Sequence, residues 1–145
     1  MKKFLTLGLL AIPLTINSAD IPRSWVYNNE TVCLAKNIYH EARGESIRGK
    51  LAVAKVTLNR VNSGKFRHTI CGVVYQRGQF SWTESKYKPI LDKGAWLDSL
   101  HIAKLVMLNP ELSKTPAMYY HNLKVKPRWQ QLERIDKIGN HVFYI

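Results

Sequence analysis

The spacing of apolar residues predicts a mainly helical chain. From residue 30 to 42 the apolar positions recur every three or four residues, and Gly44 follows as a stop, a pattern typical of an amphipathic helix. A similar stripe predicts a second helix at about 48–61. A third, at 95–108, ends at Asn109-Pro110, because the residue before proline avoids the helical region.

The C-terminal part of the chain predicts strands instead. Residues 118–120 and 141–144 are short, aromatic and β-branched, which favours two strands that can pair. Residues 69–75 are too few for periodicity to decide between helix and strand. The predicted fold class is therefore mainly α, a helical core with a small C-terminal β-hairpin.

Residues 1–19 have the organisation of a secretory signal. Two lysines precede an apolar stretch, and a tail of small residues follows. We expect residues 20–145 to be a single exported domain, acting in the periplasm, the cell wall or the extracellular space. Asn17 fits a cleavage site poorly, which leaves open slow cleavage and a transiently membrane-tethered form. A buried N-terminal helix is the alternative.

The chain is strongly basic for its length. Its 145 residues include 22 Lys and Arg against 10 Asp and Glu, a net charge of +12. This balance predicts attraction to a polyanion: nucleic acid, an anionic membrane or an anionic cell wall. The export signal and the dispersed basic residues argue against nucleic acid.

The chain has two cysteines, Cys33 and Cys71. That number excludes a disulfide-dense scaffold and a four-cysteine zinc site. In an oxidising compartment we expect the two to pair, which would stabilise the fold by about 3–4 kcal/mol on the loop-entropy estimate. Two buried free thiols are the alternative.

The densest group of chemically active residues lies at 40–46, at the end of the first predicted helix. Glu41 is at the margin of the apolar stripe, where desolvation would raise its pKa as a general acid near neutral pH requires. Glu45 would share its face if the helix continued past Gly44. The alternative is a solvated helix end in which Arg43 pairs with Glu45.

The sequence predicts no metal site and no cofactor. His40 precedes Glu41, but no second histidine follows at helical spacing, so the H-E-x-x-H pattern of zinc enzymes fails. The other histidines are scattered along the chain: His68, His101, His121 and His141. Such histidines are more often hydrogen-bonded or exposed than bound to a metal ion.

Two further blocks combine aromatic rings with amides and hydroxyls. One is 75–83, and the other joins 119–122, 127–129 and 138–141. This mixture suits a carbohydrate, whose ring faces stack on aromatics while its hydroxyls form hydrogen bonds. Core aromatics beside turns would have the same composition.

Four short blocks occur in a specific order, namely E-A-R-G-E, N-R-V, Q-F-S-W and I-G-N-H-x-F-Y. Over 33–83 and 118–145 the chain resembles the SleB-type cell-wall hydrolase family, that of the spore-cortex-lytic enzymes. The resemblance implies a lysozyme-like α+β domain that cleaves peptidoglycan glycan strands at the MurNAc–GlcNAc linkage, typically as a lytic transglycosylase. Residues 66–68 depart from the family by being basic and lacking a proline common in relatives, a change confined to a loop.

The resemblance assigns the catalytic acid/base to Glu41, the first glutamate of E-A-R-G-E. A transglycosylase needs only one essential carboxylate, because water is not its nucleophile. A hydrolytic muramidase is the alternative, with Glu45 or Glu84 holding a water opposite Glu41. A non-catalytic basic wall-binding protein is the alternative of another class, and a zinc amidase is a weaker third.

We expect the substrate groove to face Glu41. The residues predicted to bind substrate there are Gln79, Phe80, Ser81, Trp82, Tyr120, His121 and Asn140. We expect a monomer whose partners are peptidoglycan and the anionic cell envelope, and not nucleic acid.

Overall fold

A computed structural model of the chain describes residues 28–85 and 88–145. The predicted signal at 1–19 lies outside the described residues. The elements in chain order are α1 (Asn29–Ala42), α2 (Ile47–Asn62), α3 (Ile70–Val74), α4 (Ser81–Glu84), α5 (Lys93–Leu108), a 3-10 turn (Pro110–Leu112), β1 (Tyr119–Asn122), β2 (Arg134–Ile138) and β3 (His141–Tyr144). No helix in these two ranges is both long and apolar enough to cross a membrane.

Three long helices confirm the predicted helical core. α1, α2 and α5 lie at the predicted positions, and the undecided segment 69–75 contains the short helix α3. Polar side chains cap the helix starts: Asn28 accepts a hydrogen bond from the Thr31 amide, and Ser46 accepts from the Gly49 amide. Such caps satisfy amides that have no partner within the helix.

α1 is the central element and contacts α2, α3 and α5. Its Leu34 and Ile38 are fully buried in an apolar cluster that includes Val106 of α5. Asn37 is also fully buried, and its amide donates to the Thr57 hydroxyl of α2 at 3.3 Å. Packing on three sides holds the last turn of α1, and therefore Glu41, in one position.

The C-terminal strands form an antiparallel sheet in the order β1-β3-β2. The predicted pairing of β1 with β3 is confirmed, and β2 adds a third strand that the sequence pattern did not indicate. The turn between β2 and β3 contains Gly139, whose φ of +56° suits glycine. Tyr120 and Phe143 of the sheet join Val53 and Val56 of α2 in a second apolar cluster.

The predicted pairing of Cys33 with Cys71 is confirmed by a disulfide between α1 and α3. A second tie lies beside it, since the Glu30 carboxylate accepts hydrogen bonds from the Ile70 and Cys71 amides at the start of α3. α3 therefore begins at a fixed place on α1. A loop of four residues, 75–78, joins α3 to the Q-F-S-W block.

Candidate active site

Glu41, in the last turn of α1, lies where two cavities adjoin. Both are lined by Glu41 and Ser81. The aromatic cavity, of about 620 Å³, is lined also by Arg60, Gly78, Gln79, Phe80, Tyr119, Tyr120, His121, Asn122, Val125, Pro127 and Trp129. The cationic cavity, of about 530 Å³, is lined also by Tyr39, His40, Arg43, Trp82, Lys88, Pro89, Leu91 and Asp92. Because they share these two residues, the cavities lie on either side of Glu41, and we refer to them together as the groove.

Another cavity, of about 650 Å³, lies between the start of α2, the 3-10 turn and β2. The single acid in its lining, Asp136, is paired with Arg48 at 3.1 Å. Its carboxylate is therefore already engaged, and we assign the chemistry to the groove around Glu41.

Burial raises the pKa of the Glu41 carboxyl above its usual range. The Tyr120 hydroxyl and the Arg60 guanidinium oppose this effect, because both favour the charged carboxylate. A carboxyl that keeps its proton toward neutral pH has the property that general acid catalysis requires.

The Q-F-S-W block supplies residues to both sides of Glu41. The structure places all four of its predicted residues on the groove, namely Gln79, Phe80, Ser81 and Trp82. Phe80 is buried against Tyr120, with ring centroids 6.4 Å apart. Glu84 lines neither cavity, and its carboxylate accepts from the Gly78 amide at 2.9 Å, which closes the loop that carries the block.

The ring of His121 in β1 is held in one orientation by two hydrogen bonds. Its Nδ1 lies 2.8 Å from the Asn122 carbonyl oxygen and its Nε2 lies 2.9 Å from the Tyr144 hydroxyl. Since a carbonyl can only accept, Nδ1 carries a proton, and Nε2 shares a second hydrogen bond with the Tyr144 hydroxyl. Trp129 lies against both His121 and Tyr119, at centroid distances of 6.2 and 5.8 Å. The result is an aromatic wall with polar atoms in fixed directions.

The cationic cavity has a stacked pair at its floor. The His40 and Trp82 rings lie 4.5 Å apart at an interplanar angle of 24°. Burial lowers the pKa of His40, and Arg43, Lys88 and Lys36 lower it further. His40 is therefore neutral at neutral pH and presents a flat aromatic surface.

The far side of the cationic cavity is tied to α1. The Tyr39 hydroxyl accepts hydrogen bonds from the Leu91 and Asp92 amides, each at 3.1 Å. The Asp92 carboxylate caps α5 by accepting from the Ala95 amide at 2.9 Å. Sequence reasoning missed Asp92, because an aspartate before a helix is an ordinary cap.

The structure separates Glu45 and Asn140 from the groove. The Asn140 side-chain amide donates to Glu45 at 3.1 Å and its backbone amide donates at 3.3 Å. Glu45 therefore binds the turn between β2 and β3. The alternative pairing of Arg43 with Glu45 is wrong, since Arg43 lies over the Tyr39 ring and donates to the Tyr39 carbonyl.

Sequence reasoning also missed Arg60, which lines the aromatic cavity. It is the arginine of the N-R-V block and is almost fully buried. The available signal was its place within the apolar stripe of α2, where a solvated cation does not belong. Among the described residues, no group of three or more histidine, cysteine or carboxylate side chains could hold a metal ion.

Comparison with known proteins identifies the family. Residues 44–144 match the family described as Cell Wall Hydrolase. The chain belongs to the cell wall hydrolase family. Glu41 lies three residues before this matched segment. The match to the spore cortex-lytic enzyme of Oceanobacillus iheyensis covers 87% of the chain, which is long enough to include Glu41.

Curated members of the family are similar over most of this chain. The Oceanobacillus iheyensis enzyme is 31% identical over an alignment of 132 residues that covers 87% of this chain and 45% of that protein. The spore cortex-lytic enzyme of Bacillus subtilis is 31% identical over 121 residues, 80% of this chain and 37% of that protein. The chain thus spans less than half the length of these curated relatives.

Solved structures of the family share the fold. The catalytic domain of the Bacillus cereus SleB protein matches with a TM-score of 0.61 and 30% identity, over 83% of this chain and 93% of that one. The catalytic domain of a germination-specific lytic transglycosylase SleB from Bacillus anthracis matches with a TM-score of 0.55 and 28% identity, over 82% and 97%. The predicted fold class, a mainly helical, lysozyme-like α+β domain, is confirmed.

Proposed function

We propose that the chain cleaves the glycan strand of peptidoglycan at the MurNAc–GlcNAc linkage, as a lytic transglycosylase with Glu41 as its acid/base. The observation that carries the proposal is a single half-buried carboxyl, with a raised pKa, at the junction of two aromatic-lined cavities. The similarity to proteins described as spore cortex-lytic enzyme and lytic transglycosylase supports it.

In this mechanism Glu41 first donates a proton and later accepts another. The protonated carboxyl gives its proton to the glycosidic oxygen as the bond from that oxygen to the muramyl anomeric carbon breaks. The 6-hydroxyl of the same sugar then bonds to the anomeric carbon and returns a proton to the Glu41 carboxylate. The product carries a 1,6-anhydro ring, and Glu41 ends protonated for the next cycle.

The distribution of acids favours transglycosylation over hydrolysis. Of the carboxylates in the described ranges, only Glu41 and Asp92 line the two cavities. Asp92 is engaged as the cap of α5. Glu45 and Glu84, the residues suggested for a hydrolytic route, are bound to Asn140 and to the Gly78 amide. Each of these acids already makes a structural hydrogen bond, which supports a route that needs no second carboxylate.

The groove offers the two kinds of contact that sugars use. Trp82, Trp129 and Tyr119 present ring surfaces on which pyranose faces can stack. Gln79 and Ser81 supply an amide and a hydroxyl for the acetamido and hydroxyl groups. We propose that the rings hold the strand while these polar groups set its register against Glu41.

The test is digestion of purified peptidoglycan followed by mass spectrometry of the fragments. Wild type should release anhydro-muramyl ends, and Glu41→Gln should lose at least about 10²-fold in rate, as a lost general acid/base does. Glu111→Gln, which changes an exposed acid on the 3-10 turn, is the matched control and should behave as wild type.

One further variant separates the two chemical outcomes. Asp92→Asn keeps a helix-capping side chain but cannot act as a carboxylate base. Reducing muramyl ends from wild type, lost in Asp92→Asn, would overturn transglycosylation in favour of hydrolysis. Full activity of Glu41→Gln would overturn the assignment of the acid.

We also propose that the protein is exported and acts as a monomer on the anionic cell envelope. Its basic character raises its local concentration near an anionic wall, and salt weakens such attraction. The proposed signal at 1–19 is tested by expressing the full chain and sequencing the N-terminus of the secreted form. A start at Asp20 is expected, and recovery of uncleaved protein only in the cytoplasm would contradict export.

A further inference from the structure

Arg60 is an unusual residue in this fold because its charge is buried and forms no ion pair with a described carboxylate. It is 4% exposed. Among the described lysines and arginines one more is buried, Lys50, and it forms an ion pair with Asp98. No ion pair joins Arg60 to any described carboxylate. Burying an unpaired charge is costly, so the position needs a physical explanation.

The surroundings of Arg60 fix its guanidinium in place. Its Nε donates to the Met118 carbonyl at 2.7 Å. Its guanidinium carbon lies 5.1, 5.5 and 5.7 Å from the ring centroids of Phe66, Phe80 and Tyr119, distances at which a cation is attracted to a ring face. Its Nη1 is buried and has no hydrogen-bond partner among the described residues. The charge is therefore held rigidly while part of its bonding capacity stays unused.

Glu41 is the acid that faces this charge. Both residues line the aromatic cavity, one from α1 and the other from α2. Each favours the charged form of the other, against the burial that lowers the pKa of Arg60 and raises the pKa of Glu41. The other ionisable groups described in the lining of this cavity are Tyr119, Tyr120 and His121, all on β1. Burial raises the pKa of Tyr120 far above its usual range, so that hydroxyl stays neutral.

We infer that Arg60 is a positioning residue for the acid/base cycle, whose fixed charge stabilises the Glu41 carboxylate in the interval between giving up a proton and recovering it. The inference rests on the proposed function of Glu41. The physical reason is preorganisation, since a charge already in place needs no rearrangement when the carboxylate forms. The three rings hold the guanidinium in place without neutralising its charge. A carboxylate in a permanent ion pair with Arg60 would neutralise it.

The first test measures stability, so its result does not depend on catalysis. Glu41→Gln should stabilise the fold at neutral pH, because it removes a charge that burial disfavours. In an Arg60→Gln background the gain should be larger, because the Glu41 charge there has lost its support. The extra gain should vanish below the ordinary pKa of a glutamate, where Glu41 is protonated in both the folded and the unfolded chain.

The matched control for this cycle is Lys55→Gln. Lys55 is also a cation on α2, but it donates to the Pro110 carbonyl and lines neither cavity. The gain from Glu41→Gln should be the same with or without Lys55. Equal gains in the wild-type and Arg60→Gln backgrounds at neutral pH would overturn the inference, whether or not Glu41 is catalytic.

The second test is the pH profile of turnover on soluble glycan fragments. Arg60→Gln should lower kcat by roughly 10²-fold, the scale of one lost preorganised electrostatic contact, and should move the alkaline limb to higher pH. Arg60→Lys should lose less. A fall in kcat with an unmoved limb would mark Arg60 as scaffold only and overturn the inference.

A direct titration covers the case in which Arg60→Gln does not fold. The carboxyl carbon of Glu41 can be followed by NMR in wild type and in Arg60→Lys, which keeps the charge but loses the Nε that binds Met118. The midpoint should rise in Arg60→Lys because the charge is no longer fixed. An unchanged midpoint would overturn the inference.

Discussion

Reduction of the Cys33–Cys71 disulfide should cost a large share of the stability of this domain. The bonded cysteines are 38 residues apart in sequence, and the chain-entropy estimate for a loop of that size is about 4 kcal/mol. Small domains are stable by only about 5–15 kcal/mol. The native geometry should survive reduction, because Glu30 still binds the Ile70 and Cys71 amides. The loss therefore comes mainly from the unfolded chain, which gains freedom.

The assay is urea unfolding of oxidised and reduced wild type, which have identical side chains and differ only in the cross-link. We expect the free energy of unfolding to fall by about 3–4 kcal/mol, with activity per folded molecule nearly retained. Thiol labelling of unfolded, unreduced protein should find no free cysteine. Two labels, or a fall below about 1 kcal/mol, would refute this account of how α3 is anchored.

Three further predictions concern the turn, the groove and the charge. Gly139→Ala should destabilise the fold by about 2–4 kcal/mol, because its φ is positive and a Cβ there would lie 1.9 Å from a Glu45 oxygen. Gly44→Ala is the control, because a Cβ at Gly44 would have no atom within 4 Å. Equal melting temperatures of the two variants would contradict the prediction. Truncating the polar groove residues Gln79, Ser81 and His121 to alanine should weaken turnover and leave the melting temperature nearly unchanged. Parallel losses of turnover and of melting temperature would mark these residues as scaffold. Digestion of intact cell walls should slow as salt rises while turnover of short neutral glycans stays constant; equal salt dependence would contradict attraction to the wall.

The long helices could be predicted from the sequence because their apolar stripes run over three turns or more. The short elements could not. α4 has four residues, too few to show a period. β2 reads Arg-Ile-Asp-Lys-Ile, and it lies at the edge of the sheet, where charged side chains are expected. Pairing with β3, rather than local preference, makes it a strand.

The candidate site could be predicted in part. The sequence placed Glu41, the Q-F-S-W block and Tyr120 in one groove, and the structure brings them together. Asn140 was expected there because it combines an amide with neighbouring aromatics, but a short side chain in a turn is more readily used locally, and it binds Glu45. Arg60 went unassigned because a basic residue in the last turn of a helix is ordinary. Its place within the apolar stripe of α2 was the one signal in the sequence, and the three rings around it show where the charge is buried.

The measurement that tests the central claim most directly is the titration of Glu41 beside the pH dependence of kcat/KM. The acid must be protonated to act, so activity should fall as pH rises through the pKa of Glu41, which burial raises. We expect the NMR midpoint of its carboxyl carbon to lie above that of an ordinary glutamate and to coincide with the alkaline limb of kcat/KM. A midpoint in the ordinary glutamate range, with activity that persists well above it, would contradict the role of Glu41 as the general acid.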